Sequence, residues 1–241
     1  MPELGLSFGR VAALYHRVRP DYLPEALDRA QQVLELDASA EVLDLAAGTG
    51  RLTHELARRF ARVIAVEPDD AMRALISDGE VLAGTAEAVP LGDASVDAVF
   101  VGEAIHWFDA RRAVPETARV LRPRGGFARL SNQWWEPRPP LPNPALELLD
   151  AAYVKSGRAG IVESWREAFA DSAFAPLREE TFDWELPVDP ETLLSLYQTM
   201  STLASLPESE RETLVERLRP MLRGPHVLPI RVVLTWTRLR R

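Results

Sequence analysis

Val42-Leu43-Asp44-Leu45-Ala46-Ala47-Gly48-Thr49-Gly50 leads out of a short apolar run and straight into a helical one, where Leu52, Leu56 and Phe60 share a face. The run at 41–45 reads as a strand. Gly48 and Gly50 lack a Cβ, so the backbone can turn tightly and a ligand can approach the main chain closely. The helix that follows starts with free N–H groups. Strand, glycine turn and helix in that order form the ligand crevice of an open α/β sheet, at the carboxyl ends of its strands.

Working outward, a second strand at 63–66 ends in Glu67-Pro68, seventeen residues after Gly50. An acid there can accept hydrogen bonds from both ribose hydroxyls of an adenosine group, with a charged, bidentate geometry that an amide lacks. A nicotinamide cofactor wants G-x-G-x-x-G, and the third glycine position is Thr53. Asp44 would repel a pyrophosphate, whereas it can orient groups around the methionine end of S-adenosylmethionine. A nucleotide-dependent dehydrogenase is therefore the weaker reading.

The same alternation continues along the chain. A helix is predicted at 70–76, strands at 81–83 and 96–101, a helix through Val114, Ala118 and Leu121, and a strand at 127–132 after Gly125-Gly126. Strands and helices alternating at this pace imply right-handed crossovers and a parallel sheet. Two helices precede this core, at 11–18 and 24–36. Beyond the prolines at 137–144, helices are expected at 145–155, 164–169, 190–203 and 207–222. Phe182, Trp184 and Leu186 alternate with polar residues as on a half-buried strand. Leu228, Ile230, Val232, Leu234 and Trp236 also alternate, which suits an antiparallel edge strand.

The chain has 241 residues, a hydrophobic share of 46% and a formal net charge of −8. This fits one globular α/β domain and disfavours a large basic surface for nucleic acid. The chain contains no cysteine, which excludes disulfides, thiolate metal sites and a cysteine nucleophile. The four histidines are scattered, so no metal is expected. The start, MPELGLSFGR, lacks the pattern of a signal peptide, and no apolar run approaches the roughly 20 residues that span a bilayer. A cytoplasmic protein is expected.

Taken together, these residues resemble class I S-adenosylmethionine-dependent methyltransferases, in the broad small-molecule group that includes trans-aconitate and quinone methyltransferases. The resemblance covers nearly the whole chain. Asp44 to Gly50 stand for the family's first motif, with Ala46 in place of its first glycine. Glu67 falls on the ribose-binding acid. Met72 is similar to the residue that packs on adenine, and Gly84-Thr85-Ala86-Glu87 to the segment that meets the adenine edge. Asp97 to Ala104 resemble the strand whose end runs under the methionine moiety. Ile105-His106-Trp107-Phe108-Asp109 resembles a segment of the trans-aconitate-like branch, and Leu121-Arg122-Pro123-Arg124-Gly125-Gly126 the turn before strand five. Tyr15-His16-Arg17-Val18-Arg19-Pro20-Asp21-Tyr22 also matches.

The resemblance implies a Rossmann-like methyltransferase fold: a mostly parallel seven-stranded sheet with an antiparallel last strand, helices on both faces and a small helical cap. Residues 1–36 would be cap helices, 37–135 the cofactor-binding core, and 136–241 the acceptor-side helices and final antiparallel strands. The implied S-adenosylmethionine contacts are Tyr15, Arg19, Asp44, Ala46, Gly48, Thr49, Gly50, Glu67, Pro68, Met72, Thr85, Ala86, Glu87, Glu103 and Ala104, with Arg19 near the cofactor's carboxylate. His106 is the candidate base or acceptor-orienting group, packing over the cofactor being its other reading. Trp107, Trp134, Trp135, Tyr197 and Met200 are candidate acceptor walls, with core packing as the alternative. A carboxylate acceptor would call for Arg129 or Arg138. The expected partner is a small-molecule methyl acceptor, with no nucleic acid and no membrane, for a monomer or homodimer. A cofactor-binding regulator without catalysis is the alternative function.

Overall fold

The computed structural model describes residues 11–134, 141–155 and 165–240. Seven strands form its sheet: β1 Glu41–Leu45, β2 Arg62–Val66, β3 Glu80–Leu82, β4 Val96–Gly102, β5 Leu121–Gln133, β6 Arg178–Val188 and β7 His226–Arg238. Their order is β3-β2-β1-β4-β5-β7-β6. The first five run parallel, while β7 is antiparallel to both β5 and β6. β1, β2 and β4 are short runs of Val, Ile, Leu, Ala and Phe because nearly every residue is buried on one face or the other. Asp44 pairs with Ala65 on one side and Phe100 on the other, which places it at the carboxyl ends of three neighbouring strands.

The expected edge position of β7 is corrected. β7 lies inside the sheet, and β6 forms the edge. The alternation read from the sequence holds for Leu228 to Arg231, but from Val232 to Thr237 both faces are buried. Thr235 and Thr237 read as solvent-facing, yet their hydroxyls are satisfied internally, by Glu179 Oε2 at 3.1 Å and by the Ala175 carbonyl at 2.6 Å. A small polar residue whose hydroxyl finds a partner is as compatible with a sheet interior as an apolar one.

Helices α1 Ala12–Val18, α2 Pro24–Val33 and α3 Arg51–Ala57 are followed by the single turn α4 Asp70–Arg73, capped by the Asp69 carboxylate. α5 Ala110–Val120, α6 Asn143–Lys155 and α7 Trp165–Ala170 come next, then α8 Pro190–Gln198, α9 Ser201–Ala204 and α10 Glu208–Leu218. The buried side chains form two clusters. One joins α2, α3, α6, α8, α9 and α10 to Val42, Phe100, Leu130 and Leu234. The other joins α5 and α7 to Leu43, Val99, Val101 and Phe127. Alternate residues of the same strands supply the two clusters, so the helices cover opposite faces.

The helix expected at 190–203 is broken at Thr199, and the cause is tertiary. The Arg19 guanidinium donates to the Thr199 carbonyl at 2.7 Å and to its Oγ1 at 2.9 Å. Leu203 N–H turns instead to the Met200 carbonyl, starting α9 afresh. Among the described residues, no helix is long and apolar enough to cross a membrane.

Candidate functional site

The loop from β1 to α3 is built on backbone that most side chains avoid. Gly48 and Gly50 take φ of +58° and +82°, and Ala46 adopts +59° despite its Cβ. The turn is tied down by Ala47 N–H to the Val66 carbonyl at 3.0 Å and Gly50 N–H to the Ala47 carbonyl at 2.9 Å. Glu67, at the end of β2, closes it from the side: Oε2 accepts the Gly48 N–H at 2.8 Å and Oε1 the Asp69 N–H at 2.9 Å. Burial pushes the Glu67 carboxyl up, while these two N–H groups pull it back. Met72, buried in α4, flanks the turn, its methyl carbon 3.7 Å from where a Cβ on Gly48 would stand.

Asp44 is 1% exposed. Its Oδ2 accepts the Thr53 hydroxyl at 2.6 Å, whereas its Oδ1 is buried with no hydrogen-bond partner among the described residues. Burial raises its pKa to about 7, outweighing the Thr53 bond that lowers it. A buried carboxylate oxygen without a donor is costly, and such atoms call for an explanation in function.

Glu103 follows β4 with φ +58°, and its carboxylate accepts the Asn132 N–H at the end of β5. Burial raises its pKa, opposed first by the Arg19 charge. Arg19 lies over the Tyr15 ring at 4.8 Å and the Trp134 ring at 5.5 Å while donating to Thr199. The same C-terminal end of α1 is also tied by Arg51, which donates to the His16 carbonyl at 2.6 Å and pairs with Asp21. Removing the Arg19 contact by Arg19→Gln should lower stability by about 2 kcal/mol, as for a charge-assisted hydrogen bond. That corresponds to a melting temperature roughly 4–8 °C lower in a chain of this size. An unchanged calorimetric melting curve would show that this contact does nothing to hold α1.

The remaining candidates take varied places. Ala86 faces the core, Thr85 is exposed, and Pro68 is exposed beside Glu67. Glu87 accepts the Asp109 N–H at 2.8 Å, pinning this segment to the start of α5. His106 is exposed on a 3-10 turn, Ile105–Trp107, its ring 4.8 Å from that of Trp107, while Ala104 before it is half-buried. Trp134 and Tyr197 are both core residues, their rings 5.6 Å apart, and Met200 packs against the same cluster. Arg129 is buried on β5 against Trp165, 5.3 Å from its ring. Trp135 and Arg138 lie outside the described residues. Thr49 is buried, its hydroxyl without a partner among the described residues. No group of three or more His, Asp or Glu suited to a metal occurs among the described residues.

The structure thus gathers Asp44, Gly48, Gly50, Glu67 and Met72 around one turn, with Tyr15, Arg19 and Glu103 over the ends of β4 and β5. His106 and Trp107 form a separate pair. Thr199, Arg51 and Asn132 belong to the assembly without having been singled out, because their partners lie between 29 and 180 residues away in sequence.

The methyltransferase-domain family matches residues 43–128. An uncharacterized methyltransferase of Mycobacterium tuberculosis is 36% identical over 224 residues, spanning 91% of this chain and 87% of the relative. A malonyl-[acyl-carrier protein] O-methyltransferase of Methylococcus capsulatus is 38% identical over 136 residues, covering 52% of this chain and 50% of that one. In three dimensions, the YcgJ protein of Bacillus subtilis is similar with a TM-score of 0.58 at 21% identity, covering 90% of this chain and 99% of that one. With a relative 36% identical over nine-tenths of its length, the chain belongs to the class I S-adenosylmethionine-dependent methyltransferases.

Proposed function

We propose that this methyltransferase passes the methyl group of S-adenosylmethionine to a small-molecule acceptor by direct displacement. One observation carries the reading: the partnerless Asp44 Oδ1 beside a turn whose backbone is open to close approach. The residues fit the cofactor. Ala46, Gly48, Thr49 and Gly50 would line its approach, and Glu67 with Pro68 would meet the ribose. Both Glu67 oxygens keep a free lone pair beside the N–H bonds they already accept. Met72, Thr85, Ala86 and Glu87 would bound the adenine, and Tyr15, Arg19, Glu103 and Ala104 the amino-acid end. When bound, S-adenosylmethionine supplies an already activated methyl group, so the protein's share is alignment and the exclusion of water.

The chain's own groups would hold the acceptor's lone pair in line with the donor's methyl–sulfur bond, the donor supplying the activated methyl and keeping that bond's electron pair. A proton must leave where the acceptor atom carries one, as in an alcohol, a phenol, an amine or a carbon acid, and His106 would receive it or orient the acceptor. A carboxylate acceptor needs no base. Trp107, Trp134, Trp135, Tyr197 and Met200 would wall the acceptor side, Trp134 and Tyr197 from their places in the core. The net charge of −8 supports a small acceptor over a nucleic acid.

Titration calorimetry with S-adenosylmethionine tests the reading, followed by release of S-adenosylhomocysteine over a panel of carboxylic acids, phenols and quinone-like aromatics. Glu67→Ala should weaken binding about 100-fold, as roughly 3 kcal/mol of hydrogen bonding to the ribose is lost. Binding without turnover on any acceptor would favour a silent cofactor-binding regulator. Binding of NAD in place of S-adenosylmethionine would overturn the assignment.

A further inference from the structure

Asn132 stands one residue before the end of β5, opposite Val232 of β7. Alternation along β5 puts it on the face of Leu130 and Trp134, where the Trp134 ring meets Arg19 and Tyr197. The residue is 7% exposed. Its backbone N–H donates to the Glu103 carboxylate, and its side-chain Nδ2 donates to the Asp21 carbonyl in a long contact of 3.4 Å. A carbonyl can only accept, so the amide faces Asp21 with its NH2 and turns Oδ1 away. That oxygen is buried with no hydrogen-bond partner among the described residues. A leucine would fill similar space without leaving a polar atom unsatisfied. The cost of such an atom is recovered when a bound N–H or O–H reaches it.

The charges around Oδ1 narrow what can bring that donor. Arg19 already donates to Thr199, and Arg51 to the His16 carbonyl and to Asp21. Arg129, expected for a carboxylate acceptor, lies on the opposite face of β5 with Phe127, against Trp165. Its charge reaches Glu103, a carboxylate that the fold itself supplies. A carboxylate acceptor would therefore meet the Oδ1 lone pairs and the Glu103 charge, and both repel it. A hydroxyl could donate to Oδ1, but it must also give up that one hydrogen, and an amide oxygen is no base. An amine fits on both counts. It donates one N–H and keeps its lone pair for the methyl. The positive charge it gains as the bond forms is stabilised by the amide oxygen and by Glu103.

We propose that the methyl acceptor is an amine, and that Asn132 Oδ1 selects it by accepting a hydrogen bond from the nitrogen that is methylated. The inference rests on the cofactor reading above and narrows its acceptor. The nitrogen lone pair forms the bond to the methyl carbon, and the methyl–sulfur pair stays with sulfur. The positive charge passes from sulfur to nitrogen, and the alkylammonium product gives up its extra proton afterwards, to solvent or to His106.

The test measures S-adenosylhomocysteine release over libraries of amines, phenols and carboxylic acids matched in carbon skeleton. Amines should exceed their matched phenols and acids in kcat/KM by about tenfold or more, as one hydrogen bond in a desolvated site allows. Asn132→Leu should lower kcat/KM for the best amine about tenfold and leave S-adenosylmethionine affinity within twofold, with a melting curve to check the fold. Asn132→Asp keeps an oxygen at the same place and should hold kcat/KM within about threefold of the parent. A phenol or carboxylic acid preferred over its matched amine, or no amine turned over, overturns the proposal. So does equal loss in the leucine and aspartate variants, which would reduce Asn132 to its structural tie with Asp21. Cofactor affinity falling in step with kcat/KM would set Oδ1 against the donor instead, and that also overturns it. Failure of the parent to bind S-adenosylmethionine sinks the cofactor reading itself, whereas intact binding with another acceptor class preferred sinks only the amine.

Discussion

Gly50→Val is expected to abolish measurable S-adenosylmethionine binding and to destabilise the fold by roughly 2–5 kcal/mol. Two independent costs add. Gly50 caps α3 with φ +82°, where a β-branched residue is strained by roughly 1–2 kcal/mol. Even the first carbon of a side chain would stand 2.9 Å from Ile76 Cγ2 and 3.2 Å from Ile76 Cα, so the loop after α4 must move. Overpacking of that kind costs about 1–3 kcal/mol. The same shift pulls the turn off Glu67 and Asp44, and an affinity loss beyond 100-fold follows. Gly48→Ala gives the contrast. Its φ of +58° nearly equals that of Ala46, and its Cβ would meet Met72 at an ordinary 3.7 Å. The fold should accept that alanine at a cost near 1 kcal/mol, because the turn already carries one two residues earlier. Urea denaturation and titration calorimetry on both variants check the ranking. Valine at 50 with affinity within threefold of the parent would mean that the turn is not where the cofactor binds.

The parts of this site that were legible in the sequence are those made by neighbours in the chain. β1, β2 and β4 could be read because both faces are buried, which leaves short aliphatic runs between turn residues. The placing of Asp44, Gly48, Gly50 and Glu67 around one turn could be read because strand ends and the turn between them fix where these residues stand. What escaped was made by contacts across the fold. The break at Thr199 has no local signal, since the helical pattern runs on to Leu203 and only Arg19, 180 positions away, takes the carbonyl. β7 was misplaced at an edge because Thr235 and Thr237 count as polar until their partners on β6 and at Ala175 are seen. Tyr22 stood in a quoted segment, but its close packing against Gly102 joins positions 80 residues apart. Glu87 was read as a cofactor contact, and what the structure shows is that it holds the start of α5 through Asp109.

Asp44→Asn should make the cofactor-free enzyme more stable at pH 8 while crippling its binding. The sign follows from the raised pKa. Asp44 titrates at about 7 in the fold, against about 3.9 in an unfolded chain. Between those values the folded state holds a proton that the unfolded state has lost, so stability falls as pH rises from about 4 to 7 and is level above that. At about 1.4 kcal/mol per unit, the charged carboxylate costs the fold on the order of 4 kcal/mol near pH 8. Asparagine removes that charge and can still accept the Thr53 hydroxyl with its carbonyl. Its melting temperature should therefore exceed the parent's at pH 8 and converge with it at pH 4. Glu67 and Glu103 are also raised by burial, so the parent's slope with pH is shared, and the difference between the two proteins isolates Asp44. Binding moves the other way. Where the parent has its partnerless Oδ1, asparagine presents an NH2 donor, which repels a cationic ligand. In the parent, a cation must displace the Asp44 proton below pH 7, so affinity should rise from pH 6 to pH 8 with proton release at the lower pH. Calorimetry in two buffers of different ionisation enthalpy measures that proton directly. A parent affinity independent of pH, together with an asparagine variant less stable at pH 8, would show that Asp44 is an ordinary structural carboxylate.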